Sequence, residues 1–372
     1  MARNTALMSH YLGLTIINPL DLRPLYDYNM NMFKPKYTIT NTLATNMRKV
    51  GEIIGELNSK VLSSTVLMNM ERDARALSAH SSTQIEGNPL PLTDVKKIIK
   101  SRPEHIRDTE REVLNYNKAM LMLDEQIRVG KINKLSNDFI CNIQSIVIDS
   151  LISEPYKGKY RTEPVFVNDP VKRETVYLPP DAKDVEPLMY ELVNFINDKQ
   201  GEIDPLIIAG LFHKQAVIIH PFIDGNGRTT RLVTKTLLAE LGINTFPLFS
   251  FENYYNNNVT KYFQNVGVFG NYYDIAETID FTQWLEYFTD GIIDELNRVK
   301  SQFPQYQERL EPHHKQILEY IKEHGSITMR EYEGTTDRAK ATRIQDFKRL
   351  VDIGLITPVG VGKATYYILK SE

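Results

Sequence analysis

The chain has 372 residues, of which 42% are hydrophobic and 24% are charged, and its formal net charge is -3 at pH 7. At roughly 150 residues per domain, this length predicts two or three domains, and the composition excludes a chain that is disordered throughout. The balanced charge excludes a surface that is basic everywhere, although it allows a local basic patch for nucleic acid. The single cysteine excludes an internal disulfide and a zinc site built on cysteines.

The N-terminal region is predicted to be an irregular arm followed by helices. Residues 1–40 contain several prolines and show weak periodicity, whereas apolar residues over 41–80 recur at helical spacing and predict one long helix or two. Gly87 and two nearby prolines indicate a sharp turn after Glu86. No signal peptide or membrane-spanning run is apparent, so we expect a cytoplasmic protein without membrane contact.

The middle of the chain is predicted to be helical with one β-hairpin. Val165, Phe166 and Val167 form a β-branched and aromatic run that faces a second run at 175–177, which is typical of a hairpin. The segment 205–219 is apolar nearly all round and is therefore expected to be a buried helix. The other predicted helices of this region cover about 93–99, 106–128, 135–152 and 182–199.

The last sixty residues have the element order of a winged helix-turn-helix module. Helices are expected near 313–323, 328–333 and 336–353, and a hairpin is expected to join 355–357 to 366–368. Basic residues in the third helix favour DNA binding through 336–369. A solvated charged face, a partner protein or a second copy of the chain in a homodimer would explain the same pattern.

The densest group of special residues lies between the buried helix and a helix expected at 232–241. Two glycines in this group allow close backbone approach to a ligand, so that successive N–H groups can face one anion. The start of the following helix adds partial positive charge. The run reads His220, Pro221, Phe222, Ile223, Asp224, Gly225, Asn226, Gly227, Arg228, Thr229, Thr230 and Arg231.

The side chains of this run predict a nucleotide phosphate site with a base beside it. Arg228 and Arg231 share one helix face near its N-terminus, where a bound polyphosphate would offset their repulsion from the helix. Asp224 is a hard oxygen ligand suited to Mg²⁺, and His220 can act as a general base near neutral pH. The alternative is a glycine-rich turn with a surface histidine. His213, one helix earlier, is expected to be packed or exposed rather than catalytic.

This run resembles the signature of the Fic family of AMP transferases. The resemblance implies a mainly α-helical bundle with a β-hairpin flap, carrying in addition the C-terminal winged helix, and transfer of AMP from ATP to a protein hydroxyl. The regions expected on this basis are an N-terminal helical region at 1–105, a Fic catalytic core at 106–300 and the winged helix at 312–372.

The resemblance also implies a role for each motif residue. His220 takes the proton from a Ser, Thr or Tyr hydroxyl of a target protein, or of the chain itself, and Asp224 holds Mg²⁺ between the α- and β-phosphates. The Asn226 amide contacts the α-phosphate, and Arg228 and Arg231 hold the β- and γ-phosphates. The full set expected to bind nucleotide is Gly225, Asn226, Gly227, Arg228, Thr229, Thr230 and Arg231, with Asn258 and Tyr262 in a helix near the adenine.

Two further features follow from the same resemblance. Val165, Phe166 and Val167 would form a flap whose open strand edge pairs with the target segment, although an ordinary surface hairpin has the same pattern. Residues 82–87 resemble the family's inhibitory motif, in which Glu86 pairs with Arg231 and Ser82 anchors the helix. A helix end with a solvated glutamate is the alternative, and Glu86 could instead orient water for removal of AMP.

The sequence therefore predicts an autoinhibited protein adenylyltransferase that uses ATP and Mg²⁺. The competing hypothesis is a DNA-binding transcriptional regulator whose Fic-like domain senses a nucleotide. A transferase of another nucleotide or of a phosphoryl group is a third possibility, because the motif specifies a phosphate cradle and not a base pocket.

Overall fold

The computed structural model describes residues 33–59, 64–101, 106–130, 134–168, 174–243, 246–307, 310–352, 355–360 and 362–369. The arm expected at 1–40 lies mostly outside these ranges. Its described end, residues 33–40, is largely without regular structure, and Lys36 forms a parallel β-bridge with Asp280. The loop of the predicted hairpin, 169–173, also lies outside the described residues.

Most of the described chain before residue 312 is helical, as the sequence predicts. Several of these helices begin at a Thr, Ser or Asp whose side chain accepts a hydrogen bond from the first turn, which fixes where the helix starts. The helices are α1 (Asn41–Asn58), α2 (Ser64–Ile85), α3 (Leu92–Ser101), α4 (Asp108–Arg128), α5 (Asn137–Val147), α6 (Ala182–Lys199), α7 (Pro205–Ile219), α8 (Asn226–Leu238), α9 (Glu252–Asn257), α10 (Val259–Val266), α11 (Tyr272–Ile275) and α12 (Thr282–Gln307).

Helix α7 lies in the middle of this bundle, as predicted from its apolar sequence. Almost all of its side chains are buried, and it packs against α8 and α12. Trp284 of α12 donates a hydrogen bond from Nε1 to the Gly210 carbonyl at 2.7 Å. The middle of α7 is thereby held in the core, and the C-terminal end of this helix carries the histidine of the predicted site.

The predicted hairpin is present with a shorter first strand. Strand β1 (Val167–Asn168) pairs antiparallel with β2 (Thr175–Leu178), and β3 (Gly270–Asn271) pairs parallel with β2. Val165 and Phe166 precede β1 and are not part of it, so that part of the strand prediction is wrong. The pairing shifts register between Val167 and Asn168, and such an irregularity shortens the regular ladder.

Two helix boundaries differ from the prediction. Helix α8 begins at Asn226 and not at 232, because Gly225 in a left-handed conformation starts the helix within the motif. Residues 254–262 do not form one helix: α9 ends at Asn257 and α10 begins at Val259. Asn258 is the junction, and its side chain accepts a hydrogen bond from the Lys261 N–H as a cap.

The C-terminal elements follow the predicted order with one added strand. They are α13 (Pro312–His324), β4 (Ile327–Thr328), α14 (Met329–Thr335), α15 (Lys340–Asp352), β5 (Ile356–Val359) and β6 (Tyr366–Leu369). The strands form an antiparallel sheet in the order β4-β6-β5. Ile317, Tyr332, Phe347 and Leu350 are buried in a cluster formed within this segment. The assignment as a winged helix module stays a prediction.

Two of the arginines that favoured DNA binding are used inside this segment. Arg338 forms a bidentate pair with Asp346, at 2.8 Å from Nε and 3.0 Å from Nη2. Arg343 is buried and pairs with Glu333 at 2.8 Å. Because these pairs neutralise the two charges, the segment 336–353 offers fewer free positive charges to DNA than its sequence indicates.

Among the helices in the described ranges, none has both the length and the hydropathy needed to cross a bilayer.

The packing of α7 against α12 gives a stability prediction. A Cβ atom at Gly210 would lie 2.6 Å from Leu285 and 3.3 Å from the Phe288 ring, so we expect Gly210→Ala to destabilise the fold by about 1–3 kcal/mol. The control Gly55→Ala is at an exposed position of α1 with nothing within 4 Å of the new atom, and it should stabilise the fold by roughly 0.5–1 kcal/mol. Thermal unfolding followed by circular dichroism compares the two, and an equal melting temperature would refute the packing argument.

Candidate active site

The predicted site forms a single loop between α7 and α8. His220 caps α7 in a left-handed conformation with φ of 52° and donates its backbone N–H to the Ala216 carbonyl at 3.0 Å. This conformation is costly for a residue other than glycine and persists only where surrounding contacts impose it. The loop therefore holds its histidine in a fixed and unusual position.

The His220 ring is suited to accept a proton. Burial, with a smaller contribution from nearby Arg161, lowers the pKa of His220 to about 4, while the hydrogen bond to the Val217 carbonyl and the Glu86 and Asp224 carboxylates act in the opposite direction. The ring is therefore neutral at pH 7. Its Nδ1 lies 3.4 Å from the Val217 carbonyl, and with a proton on that nitrogen the free lone pair is on Nε2.

The start of α8 forms an anion cradle. Gly225 has a φ of 82°, and a Cβ atom there would lie 2.8 Å from Ile148, so only glycine fits. The first helical hydrogen bond runs from the Thr229 N–H to the Gly225 carbonyl, and the N–H groups of Asn226, Gly227 and Arg228 precede it. These groups and the helix dipole favour an anion at this end.

The Asn226 side chain stabilises the loop that precedes this cradle. Its Oδ1 accepts from the Phe222 N–H at 2.8 Å, and its Nδ2 donates to the Phe222 carbonyl at 2.8 Å. Both polar ends of the side chain are thus engaged. The contact with an α-phosphate stays a prediction, and the backbone N–H of Asn226 is the group best placed at the helix start.

Arg228 is buried between two carboxylates. Its Nη2 lies 3.0 Å from Asp224 Oδ1 and its Nη1 lies 3.4 Å from Glu112 Oε1. Glu112 also accepts a hydrogen bond from Asn88 at 2.7 Å. A predicted phosphate ligand is therefore linked to the turn that follows Glu86, through a glutamate that the sequence analysis did not single out.

Arg231 is fully buried and is held by the end of α2. Its Nε donates to Ser82 Oγ at 2.8 Å, and its Nη2 donates to the Ser82 carbonyl at 2.9 Å and to Glu86 Oε1 at 2.7 Å. Burial alone would lower the pKa of Arg231, but the Glu86 carboxylate holds it above its ordinary value. Nη1 is buried without a hydrogen-bond partner among the described residues.

Glu86 lies directly against the start of α8. A Cβ atom on Gly227 would be 2.1 Å from Glu86 Oε1, so the carboxylate occupies space that only a glycine at 227 leaves open. The turn that presents Glu86 depends on Gly87, which has a φ of 95°. The structure thus brings Ser82, Glu86 and Arg231 together, as the resemblance implies.

The remaining predicted nucleotide residues lie in different surroundings. Thr229 and Thr230 are buried, and the Thr229 hydroxyl has no hydrogen-bond partner in the described part of the chain. Tyr262 is in the core, where its hydroxyl lies 3.0 Å from His213 Nε2. Asn258 is exposed at the junction of α9 and α10. The adenine contacts of Asn258 and Tyr262 therefore stay predictions.

Two polar residues that the sequence analysis did not assign to the site, Arg161 and Gln144, connect the loop between α7 and α8 to the segment that leads into the flap. Arg161 is 2% exposed, and its Nε donates to the His220 carbonyl at 2.8 Å. Gln144 of α5 donates to the Asp224 carbonyl at 3.1 Å and accepts from the Gly158 N–H at 2.7 Å. A glutamine within the apolar pattern of α5 is a weak signal of such a role. Arg161 ends the segment 158–161 that leads into the flap expected from the resemblance, but nothing in this segment indicates a contact with His220.

Comparison with known proteins finds the same resemblance to the Fic family that the motif indicated. Residues 134–238 match the model of the Fic/DOC family. The chain is 29% identical over 236 residues to a protein adenylyltransferase Fic of Nematostella vectensis, covering 60% of this chain and 51% of that protein. It is 30% identical over 204 residues to protein adenylyltransferase fic-1 of Caenorhabditis elegans, covering 53% and 38%. The matches thus span about half of these relatives' length or less.

Solved structures share the fold. A Fic family protein from Desulfovibrio desulfuricans superposes with a TM-score of 0.61 at 19% identity, over 91% of this chain and 99% of that chain. Fic-1 from Caenorhabditis elegans superposes with a TM-score of 0.57 at 22% identity, over 71% and 73%. The mainly helical architecture is therefore the one found in these proteins.

The environment of His220 gives a titration prediction. Its pKa of about 4 means that the ring stays neutral as the pH falls from neutral to about 5, whereas an unperturbed histidine takes up a proton near 6.5. Carbon-detected NMR of histidine-labelled protein measures this, with the His220→Gln spectrum identifying the signal. A midpoint near 6.5 would contradict the neutral base.

Proposed function

Because residues 134–238 match the model of the Fic/DOC family, we propose that the chain transfers AMP from ATP to a Ser, Thr or Tyr hydroxyl of a protein. The observation that carries this proposal is the pairing of a neutral histidine with an anion cradle on one short loop, beside two buried arginines. The names of the matched relatives support the same activity.

In this reaction the target hydroxyl attacks the α-phosphorus of ATP. A new bond forms between that oxygen and phosphorus, the bond from the α-phosphorus to the bridging oxygen of the β-phosphate breaks, and pyrophosphate leaves with the electron pair. His220 takes the hydroxyl proton at Nε2. Its pKa of about 4 makes it a weak base, so its contribution rests on fixed position as much as on basicity.

The chain's own groups account for the positioning of the phosphates. The N–H groups at the start of α8 are assigned to the α-phosphate, and Arg228 and Arg231 to the β- and γ-phosphates. Fixed donors of this kind stabilise the charge that develops during phosphoryl transfer. Both arginines are buried, 3% and 0% exposed, so their electrostatic effect is little weakened by water.

Asp224 is suited to share a Mg²⁺ ion with the phosphates. Its side chain is 44% exposed. Its Oδ1 accepts hydrogen bonds from the Gly225 N–H at 2.5 Å and from Arg228 Nη2 at 3.0 Å. A single carboxylate joined by phosphate oxygens and water is a common Mg²⁺ environment. When bound, the ion would neutralise negative charge on the phosphates.

We assign to the flap the binding of the target protein. Strand β1 is at the edge of the small sheet, so its outer edge can pair with an extended segment through main-chain hydrogen bonds. Val167 lies on this strand, and Val165 and Phe166 precede it. Pairing through the main chain would place a hydroxyl near His220 without requiring a particular target sequence.

A double-label experiment tests the activity. With Mg²⁺ present, we expect label on protein from ATP labelled on the α-phosphate and none from ATP labelled on the γ-phosphate. Labelling should be lost in His220→Ala, which removes the base, and retained in the control His324→Ala, whose ring lies on exposed α13. Label from the γ-position would indicate a kinase. No label in any variant with a cell extract as target would contradict the proposal.

We further propose that Glu86 inhibits this activity. Its carboxylate holds Arg231 at 2.7 Å and lies on the start of α8, where it competes with the γ-phosphate for the same guanidinium. ATP bound beside Glu86 would have its phosphates displaced from the position that in-line attack by the target hydroxyl requires. A displacement of about 1 Å can lower the rate roughly a hundredfold.

Substitution of Glu86 tests this inhibition. Glu86→Gly should raise AMP transfer on the order of tenfold to a hundredfold, because Arg231 is then free for the γ-phosphate. Glu86→Gln, which removes only the charge, should raise it less. The control Glu202→Gly removes an exposed carboxylate that pairs with Lys199 at 2.7 Å, and it should leave the rate unchanged. Equal rates for wild type and Glu86→Gly would refute inhibition by Glu86.

A further inference from the structure

We propose that Arg161 is a positioning residue that joins the target-binding flap to His220, so that one side chain sets the distance between target hydroxyl and base. This inference rests on the proposed function of the flap and of His220. It concerns a residue that lies outside the motif, 59 positions before His220.

The Arg161 guanidinium contacts both ends of the flap. Its Nη2 donates to the Pro180 carbonyl at 2.6 Å, just after β2, and its Nη1 donates to the Glu163 carbonyl at 3.2 Å, shortly before β1. The two segments from which the hairpin rises are therefore bonded to one rigid planar group.

The same guanidinium contacts the residue that carries the base. Its Nε donates to the His220 carbonyl at 2.8 Å, and Nη2 lies 3.4 Å from the Ile219 carbonyl. The Arg161 backbone N–H donates to the Pro221 carbonyl at 2.9 Å. The last carbonyls of a helix have no partner within the helix, and here the flap supplies the donors.

Tyr177 strengthens this link from the flap strand itself. Its hydroxyl is buried and donates to the Ile218 carbonyl at 2.9 Å, and its backbone pairs with Val167 across the hairpin. Three consecutive residues at the end of α7 are therefore bonded to flap residues. These contacts are the kind that can impose the left-handed conformation of His220.

The partners of Arg161 indicate that its role is positional. The hydrogen bonds of its side chain go to main-chain carbonyls, and burial lowers the pKa of Arg161 by more than its acidic surroundings, Asp181 among them, raise it. Burying a guanidinium without a paired carboxylate is costly. The partial negative charge at the C-terminus of α7 offsets part of that cost.

The charge of Arg161 also acts on the base. The charged groups that face His220 are Arg161, which favours the neutral ring, and Glu86 and Asp224, which favour the protonated ring. Loss of the Arg161 charge should therefore move the His220 titration to higher pH. This effect reports on the link separately from catalysis.

The test compares Arg161→Lys and Arg161→Gln in the Glu86→Gly protein. Both variants lose the planar fork, and only the glutamine variant loses the charge. The control Arg298→Gln removes another arginine that donates to a main-chain carbonyl, that of Leu248 at 2.8 Å, away from the site. Initial rates give kcat and KM for the target, calorimetry gives the Kd for ATP, and NMR follows the His220 titration.

We expect both Arg161 variants to lower kcat and to raise KM for the target, with a combined loss on the order of a hundredfold in kcat/KM. The Kd for ATP should stay within about twofold, because the phosphate cradle is built by other residues. The His220 pKa should rise in Arg161→Gln and stay unchanged in Arg161→Lys. Arg298→Gln should lower the melting temperature without moving these quantities.

A merely structural role would lower kcat without raising the KM for the target, and Arg298→Gln would lower kcat equally at the same loss of stability. That result would overturn the proposal. If Arg161→Gln does not fold, the KM for the target of Arg161→Lys decides. If the Glu86→Gly parent itself transfers no AMP, the proposed function fails. The His220 titration then still decides whether Arg161 acts on that ring, and an unmoved pKa in Arg161→Gln would overturn the link.

Discussion

Arg231 is fully buried, and an anionic partner inside the protein or on a ligand offsets the cost of burying its positive charge. Removing the partner of a buried charge is strongly destabilising, by about 3–5 kcal/mol where such pairs have been broken. In this chain the partner is Glu86, supported by Ser82. The same guanidinium is the proposed γ-phosphate ligand. The proposed inhibition and the proposed phosphate binding are thus two ways of satisfying one buried charge.

This constraint explains the surrounding architecture. The carboxylate reaches Arg231 only because Gly227 has no side chain and because Gly87 allows the turn that follows α2. The same open helix start is what an anionic ligand needs. Asn88 then continues the link to Glu112 and Arg228. A phosphate that displaces Glu86 would disturb the end of α2, so these contacts would couple the proposed nucleotide site to the proposed inhibitory segment.

The sequence was sufficient for the parts of the site that are continuous in the chain. The Glu86–Arg231 pair spans 145 residues and was implied only by the family resemblance. Glycines, arginines and a histidine on one loop and one helix start have nearly fixed relative positions, so their grouping was predictable. Contacts set by tertiary packing were not: Arg161 meets His220 across 59 residues and Gln144 meets Asp224 across 80. Helix boundaries that depend on local side-chain bonds were also missed, as at Asn258, which caps α10 instead of lying within one helix.

The most direct test of this account measures what the γ-phosphate contributes to binding. ATP and ADP are titrated calorimetrically into the His220→Ala protein, which should not turn over ATP, with Glu86 present and with Glu86→Gly. We predict that ATP binds more tightly than ADP by at least about tenfold in Glu86→Gly, equivalent to roughly 1.4 kcal/mol, and by much less when Glu86 is present. The same ratio of ATP to ADP affinity in both proteins would contradict competition between Glu86 and the γ-phosphate for Arg231.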